Sequence, residues 1–322
     1  MLNIIFMGTP DFALPVLEAV QSSNHQLLAV VTQPDRPRGR GKHLTPPPVK
    51  TWAMKNRIPV HQPLKIRGNQ DFLDKISRLN PDLIITAAYG QILPGTLLDI
   101  PPLGCINVHA SLLPEYRGAS PIQQVLIDGR KKTGISMIYM DEGMDTGDII
   151  MQQQLTIEPE ENAGQLHDRL AALGANMIPA VLNLFGQGKP VGTPQDSKKA
   201  TYCSKIDKNR GEIQWEQSAE SICNLVRGLT PWPGTFTFLN QGKRLKVLKA
   251  LTMECHPHHH HTPGTVLTAD ESNGFQVACG QGAIRIMQLQ EQGGKQLADL
   301  DYLRGNLIET GTKLGRLGNN DK

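Results

Sequence analysis

The sequence predicts an α/β chain in two parts, a mostly parallel sheet followed by a smaller β-barrel. Three observations carry that reading. Short apolar runs alternate with helical stretches through the first half. One of them, Asp82 to Ala88, is almost continuously apolar, as a parallel strand covered on both faces must be. Beyond residue 200 the texture changes to short strand-like runs divided by Gly and Asn.

Ile4 to Met7 reads as the first strand. Thr9-Pro10-Asp11 then offers an N-cap residue, Pro at N1 and an acid in the first turn, opening a helix with Ala13, Leu17 and Val20 on one face. Leu27 to Thr32, Asp82 to Ala88, Cys105 to His109 and Ile135 to Tyr139 are further strands, and Asn162 to Phe185 is the longest helical pattern. Gly186 to Lys199 is rich in Gly, Pro and Lys and poor in apolar positions, which suits a linker. The expected organisation is a first domain over 1–188, a linker over 189–205 and a second domain over 206–322. In that second domain Ala219 to Arg227 reads as a helix. Thr235 to Phe238, Arg244 to Ala250, Gly264 to Thr268, Phe275 to Cys279 and Ala283 to Leu289 read as strands.

At 322 residues and 39% hydrophobic, the chain can build its core without disulfide or metal staples. Its net charge of +3 is too small to announce a nucleic-acid partner, so any RNA contact must come from local patches. Five cysteines, none spaced as CxxC, read as reduced thiols of a cytoplasmic protein. No apolar run approaches the ~18 residues of a membrane span, and the start lacks the basic region of a signal peptide. No membrane association is therefore expected.

Asn107 and His109 sit at i and i+2 of a strand, so both face the same side. The next residues, Ala110 to Pro114, must leave the strand. The pair thus stands at a strand's carboxyl end, where open α/β sheets hold ligands. A structural amide and histidine are the bland alternative, weakened because buried polar groups need partners. The acidic, Gly-rich loop 140–148 misses the Asp spacing of a calcium loop and has only one of the two carboxylates of an aspartic protease. The third reading is a carboxylate that orients or charges a nearby histidine. Gly39-Arg40-Gly41-Lys42 resembles the end of a phosphate-binding P-loop, but Arg36 and His43 replace its Gly and its Ser or Thr. Residues 34–50 read instead as an open basic arm for phosphates or RNA, or as a plain surface loop. The stretch His256 to His261 holds half of the ten histidines and reads as an exposed loop with incidental metal affinity; no metal is expected.

Asn107-x-His109-x-Ser111-Leu112-Leu113-Pro114-x-Tyr116-Arg117-Gly118 together with Asp145-Thr146-Gly147-Asp148 resembles the folate-dependent formyltransferases. Phe6-x-Gly8-Thr9-Pro10-Asp11-Phe12, the stretch Thr32 to Lys42 and Pro231-Trp232-Pro233 extend the likeness to the branch acting on methionyl-tRNA. That resemblance implies a Rossmann-like formyltransferase sheet with an OB-like second domain that binds tRNA. It implies catalytic roles for Asn107, His109 and Asp145, and a folate-contacting turn at Ser111, Leu112, Leu113 and Pro114. It also implies tRNA contacts through Arg36, Arg38, Arg40 and Lys42. The expected reaction moves formyl from 10-formyltetrahydrofolate, a co-substrate, to the α-amine of initiator methionyl-tRNA, catalysed by a monomer without metal. Formyltransferases or hydrolases acting on amino sugars or ribonucleotides, and a non-catalytic RNA-binding protein, are the competing readings.

Overall fold

The computed structural model describes residues 1–38, 43–239, 242–253 and 261–316. Two compact units emerge. The first comprises Met1–Pro121, Lys132–Thr156 and His167–Cys203; the second comprises Ile122–Lys131, Ile157–Leu166 and Ser204–Lys322.

The first part of the chain runs β1 (Asn3–Gly8), α1 (Ala13–Gln21), β2 (Gln26–Val31), a hairpin of β3 (Arg36–Arg38) and β4 (His43–Thr45), α2 (Pro48–Lys55) and β5 (Val60–His61). It continues through α3 (Gln70–Arg78), β6 (Leu83–Ala87), α4 (Gly95–Leu98), β7 (Cys105–His109), β8 (Arg117–Gly118) and α5 (Pro121–Ile127). Then come β9 (Lys132–Tyr139), β10 (Ile149–Thr156), α6 (Ala163–Gly186) and β11 (Tyr202–Cys203). The main sheet has the order β10-β9-β7-β6-β1-β2-β5.

Strands β7, β6, β1, β2 and β5 pair in parallel, and β6 is buried along its whole length, as its continuous apolar run requires. The chain builds outward from β1 to β5 and then returns to the other side of β1. That reversal makes a topological switch point between β1 and β6, with β7 next in line.

Three local readings change. Thr9 does not cap α1, whose N-cap is Phe12 without a side-chain bond; the Thr9 hydroxyl instead donates to the Tyr89 carbonyl at 2.9 Å. Strands β9 and β10 are antiparallel additions, so the sheet is mixed. Strand β10 was hidden by Gln152, Gln153 and Gln154, which lie exposed at the sheet's edge.

Helix α6 opens on a reciprocal cap: Asn162 Oδ1 accepts from the Gln165 amide, and Gln165 Oε1 accepts from the Asn162 amide, both at 3.0 Å. Its 24 residues are long and apolar enough to cross a membrane by length and composition, and half of its most apolar window is buried in the protein.

The second unit holds an antiparallel sheet. Its elements are α7 (Ala219–Leu229), β12 (Thr235–Leu239), β13 (Lys243–Met253), β14 (Val266–Asp270), β15 (Gly274–Ala278), β16 (Ala283–Glu291), β17 (Gln296–Ala298) and α8 (Asp299–Gly305). The strand order is β12-β13-β16-β15-β14, with β17 beside β16 and no β12–β14 pairing among the described residues. Alternate residues of β13 and β16, including Leu245, Val247, Ile284 and Ile286, turn inward. They meet Trp215, Phe275 and the Ile222–Val226 face of α7 in one core. Ser218 caps α7 through its hydroxyl, as a residue before an apolar helical run is expected to.

Candidate active site

Strand β7 delivers Asn107 and His109 to one face at its carboxyl end. Asn107 lies beside Thr86 of β6 in the parallel ladder, and the Thr86 hydroxyl donates to Asn107 Oδ1 at 2.8 Å. That bond leaves the amide nitrogen aimed the other way, where Asn107 Nδ2 stands 3.5 Å from Asp145 Oδ1. The side chain of His109 is 6% exposed, and its Nε2 lies 3.0 Å from the Tyr116 carbonyl. A carbonyl only accepts, so that nitrogen carries the proton. Its Nδ1 then faces Asp145 Oδ1 at 3.5 Å. A bare lone pair there would oppose the carboxylate, whereas a second proton turns the contact into an ion pair. One carboxylate oxygen thus faces two nitrogens, at distances that leave both donors open to a third group.

Asp145 owes its place to backbone in the left-handed region, with φ of 54°. Such a conformation costs a residue with a Cβ roughly 1 kcal/mol and needs outside support. The Gly118 amide donates to Asp145 Oδ2 at 2.8 Å, and Gln195 Nε2 donates to the carbonyls of Asp145 and Gly147 at 2.9 and 2.7 Å. Tyr116, whose carbonyl holds His109, is left-handed as well, with φ of 61°.

The turn Ser111–Pro114 follows β7 directly, and its four carbonyls and the Leu113 amide are bonded within the protein. Ser136 Oγ donates to the Ser111 carbonyl at 2.6 Å and accepts from the Leu113 amide at 3.0 Å. Gln152 Nε2 donates to the Leu113 carbonyl at 2.8 Å, and the carbonyls of Leu112 and Pro114 accept from Glu115 and Thr201. Ser111 and Leu113 are buried, and only Leu112 and Pro114 keep part of their surface. Upstream on the same strand, burial pushes the Cys105 thiol up to about 12, so it is no nucleophile.

At its base the basic arm, whose composition suggested an open loop, is paired. Its stem is a two-stranded ribbon pairing Arg36 with Thr45 and Arg38 with His43. Arg36 is exposed, with its guanidinium 3.3 Å from Gln33 Oε1. Arg40 and Lys42 lie outside the described residues, as do residues 256–260 of the histidine stretch His256 to His261. Lys50, which the arm was expected to include, belongs to helix α2 and binds both oxygens of Asp35 at 2.8 and 2.9 Å. Gln62 and then Lys50 hold the Asp35 carboxyl below the usual carboxylate range. Among the described residues no cluster of three His, Cys, Asp or Glu side chains could hold a metal.

Sequence reasoning missed Thr86 and Gln195. Thr86 had a signal, a lone hydroxyl inside an apolar parallel strand. Gln195 had none, because it lies in the polar stretch that reads as a linker.

Comparison with known proteins gives the chain's family. Residues 2–182 match the formyl transferase family, and residues 205–307 match the formyl transferase C-terminal domain. A methionyl-tRNA formyltransferase from Geotalea daltonii is 48% identical, the match covering 98% of each chain. One from Ruminiclostridium cellulolyticum is 46% identical over 98% of this chain and 100% of its own. Among solved structures, an N-formyltransferase from Helicobacter canadensis in complex with folinic acid and dTDP-3-aminofucose shares the fold. It superposes with a TM-score of 0.67 over 91% of this chain and 100% of that one, at 16% identity. Matched in both halves, and nearly half identical to such relatives over almost its whole length, the chain belongs to the methionyl-tRNA formyltransferase family of formyl transferases.

Proposed function

We propose that this enzyme transfers the formyl group of 10-formyltetrahydrofolate to the α-amino group of initiator methionyl-tRNA, giving N-formylmethionyl-tRNA for translation initiation. The observation that carries the reading is the convergence of Asn107 Nδ2 and His109 Nδ1 on Asp145 Oδ1, each at 3.5 Å, at the carboxyl end of β7. Acyl transfer to an amine needs fixed donors where the formyl oxygen becomes negative and an acceptor for the amine's surplus proton. Asn107 and His109 are the donors in this reading, and Asp145 is the acceptor. The α-amine, with a reference pKa near 8, supplies enough neutral nucleophile at neutral pH without a covalent enzyme intermediate. As the new C–N bond forms, the amine's proton passes through Asp145, directly or by water, toward the departing folate nitrogen.

These residues fit a formyl donor. The donor brings the activated formyl carbon; the protein brings two amide- or imidazole-type hydrogen-bond donors and a dry wall. The folate contact is assigned to the turn of Ser111, Leu112, Leu113 and Pro114, where the Ser111 and Leu113 carbonyls are already bonded and Leu112 and Pro114 keep partly exposed apolar surface. The organisation proposed is a catalytic part over 1–188, a linking segment over 189–205 and a tRNA-binding part over 206–322. The enzyme is assigned as a cytoplasmic monomer.

The deciding experiment supplies formyl-labelled donor with charged initiator tRNA, uncharged initiator tRNA and a charged elongator tRNA. Label on the methionyl amine of the first alone supports the reading. Label on a sugar amine, or free formate, overturns it.

Two further results are expected. Thr86→Val removes the bond that fixes the Asn107 amide while keeping strand volume. It lowers kcat by about tenfold, ~1.4 kcal/mol, with the melting temperature nearly unchanged. Single-turnover kinetics beside thermal melts check this. For the arm, Arg36, Arg38, Arg40 and Lys42 are assigned to RNA phosphates. Arg40→Leu weakens tRNA binding and flattens its salt dependence by about one unit of slope, leaving folate binding unchanged. A filter-binding salt series with initiator tRNA measures it; an unchanged slope removes the arm from the RNA interface.

A further inference from the structure

Residues 183–204 lie between the two matched family regions, and 189–205 is expected to be only a linker. This stretch nevertheless touches both flanks of the His109–Asp145 pair. On one side Gln195 Nε2 donates to the carbonyls of Asp145 and Gly147 at 2.9 and 2.7 Å, closing over a left-handed residue. The other end of the same amide, Gln195 Oε1, accepts from Nε and one terminal nitrogen of Arg117 at 3.0 and 2.7 Å. Arg117 is 3% exposed, so its guanidinium is a fixed post and not a mobile surface group. On the second flank Thr201 Oγ1 accepts from the Tyr116 amide at 2.8 Å, and the Thr201 carbonyl accepts from the Arg117 amide at 2.9 Å. Strand β11 then pairs in parallel with β8. Tyr116, the second left-handed residue, presents the carbonyl that holds His109.

We propose that Gln195 is a positioning residue for formyl transfer: its amide ties the backbone of the Asp145 turn to the buried Arg117 and so holds the carboxylate opposite His109. The proposal rests on the functional reading above and adds to it that the segment between the two matched regions sets the reactive geometry. A side-chain amide is the right group, because one end must accept from a cation while the other donates to two carbonyls. The turn cannot hold itself, since a non-glycine residue in the left-handed region relaxes toward ordinary backbone when its outside bonds are lost.

The test uses the full-length enzyme with Gln195→Glu, Gln195→Leu and the control Asp145→Asn. Gln195→Glu keeps an acceptor for Arg117 and gains an ion pair with it, but loses both donations to the turn. Its melting temperature should equal or exceed the parent's, while kcat falls by tenfold or more and KM for folate donor and tRNA stays within about twofold. Gln195→Leu should show the same kcat loss together with a lower melting temperature. The two variants together separate positioning from packing. A kcat near the parent's in Gln195→Glu overturns the proposal, as does a loss confined to KM or one that tracks stability alone. The control separates the two levels. If Asp145→Asn retains turnover, the reading of the site falls first; if it collapses while Gln195→Glu remains fast, only the clamp falls.

Discussion

Asp145→Asn lowers single-turnover formyl transfer by about 10³ without changing the fold, because it removes charge while keeping shape. The substituted amide can still accept from the Gly118 amide, which lies 2.8 Å from Asp145 Oδ2 in the parent. What it cannot do is take a proton from the amine, the role proposed for Asp145. His109→Ala falls to a similar level, and the double variant loses little more, since both groups serve one transition state. Rapid-quench kinetics with saturating donor and initiator methionyl-tRNA, beside melts of each variant, measure this. Near-parent turnover in Asp145→Asn removes the carboxylate from the chemistry.

Gly118→Ala is the second large effect, acting through the backbone. Gly118 has φ of 114°, and a Cβ there would stand 2.4 Å from the Cys203 carbonyl oxygen, which is backbone and cannot swing aside. Its amide is also the one that binds Asp145 Oδ2. The added methyl therefore pushes β8 off β11 and carries the Asp145 donor with it. Stability falls by about 2–4 kcal/mol and kcat by about 10². Gly68→Ala is the matched control, with φ of 76° and nothing within 4 Å of its added Cβ. It carries the conformational penalty alone, about 1 kcal/mol, and leaves kcat intact. Denaturant titrations and kinetics of the pair separate steric from conformational cost; equal losses in both variants refute the assignment to Cys203.

Much of this was legible in the sequence wherever a periodicity or a burial constraint spoke. The two-residue spacing of Asn107 and His109 places them on one strand face whatever the tertiary context, and β7 has the bounds read for it. The apolar run of β6 announced a central parallel strand. Strand β10 was illegible because its outer half carries three glutamines, and edge strands need no apolar alternation. The sequence offers no sign of strand direction, so the antiparallel β9 had to come from the structure. Thr9 was misread because its hydroxyl had two claimants, a helix N-terminus and the Tyr89 carbonyl, and local pattern names only the first. Gln195 was out of reach for a deeper reason. Its bonds join residues far apart in sequence, such as Arg117, and composition alone called its neighbourhood a tether.

The bracing of the Asp145 turn by Gln195 bears on how the enzyme comes alive during its own synthesis. Protein chains leave the ribosome N-terminus first, and their parts can fold as they emerge. A nascent chain that has reached Asp148 already carries Asn107, His109 and Asp145. It still lacks Gln195 for one left-handed turn and Thr201 for the other. If Gln195 positions the carboxylate as proposed, the site is braced late, when a polar segment with no chemistry of its own clears the exit tunnel. Chemical groups and the bonds that brace them are encoded apart along the chain, so the two left-handed turns beside His109 stay unbraced until Gln195 and Thr201 have emerged.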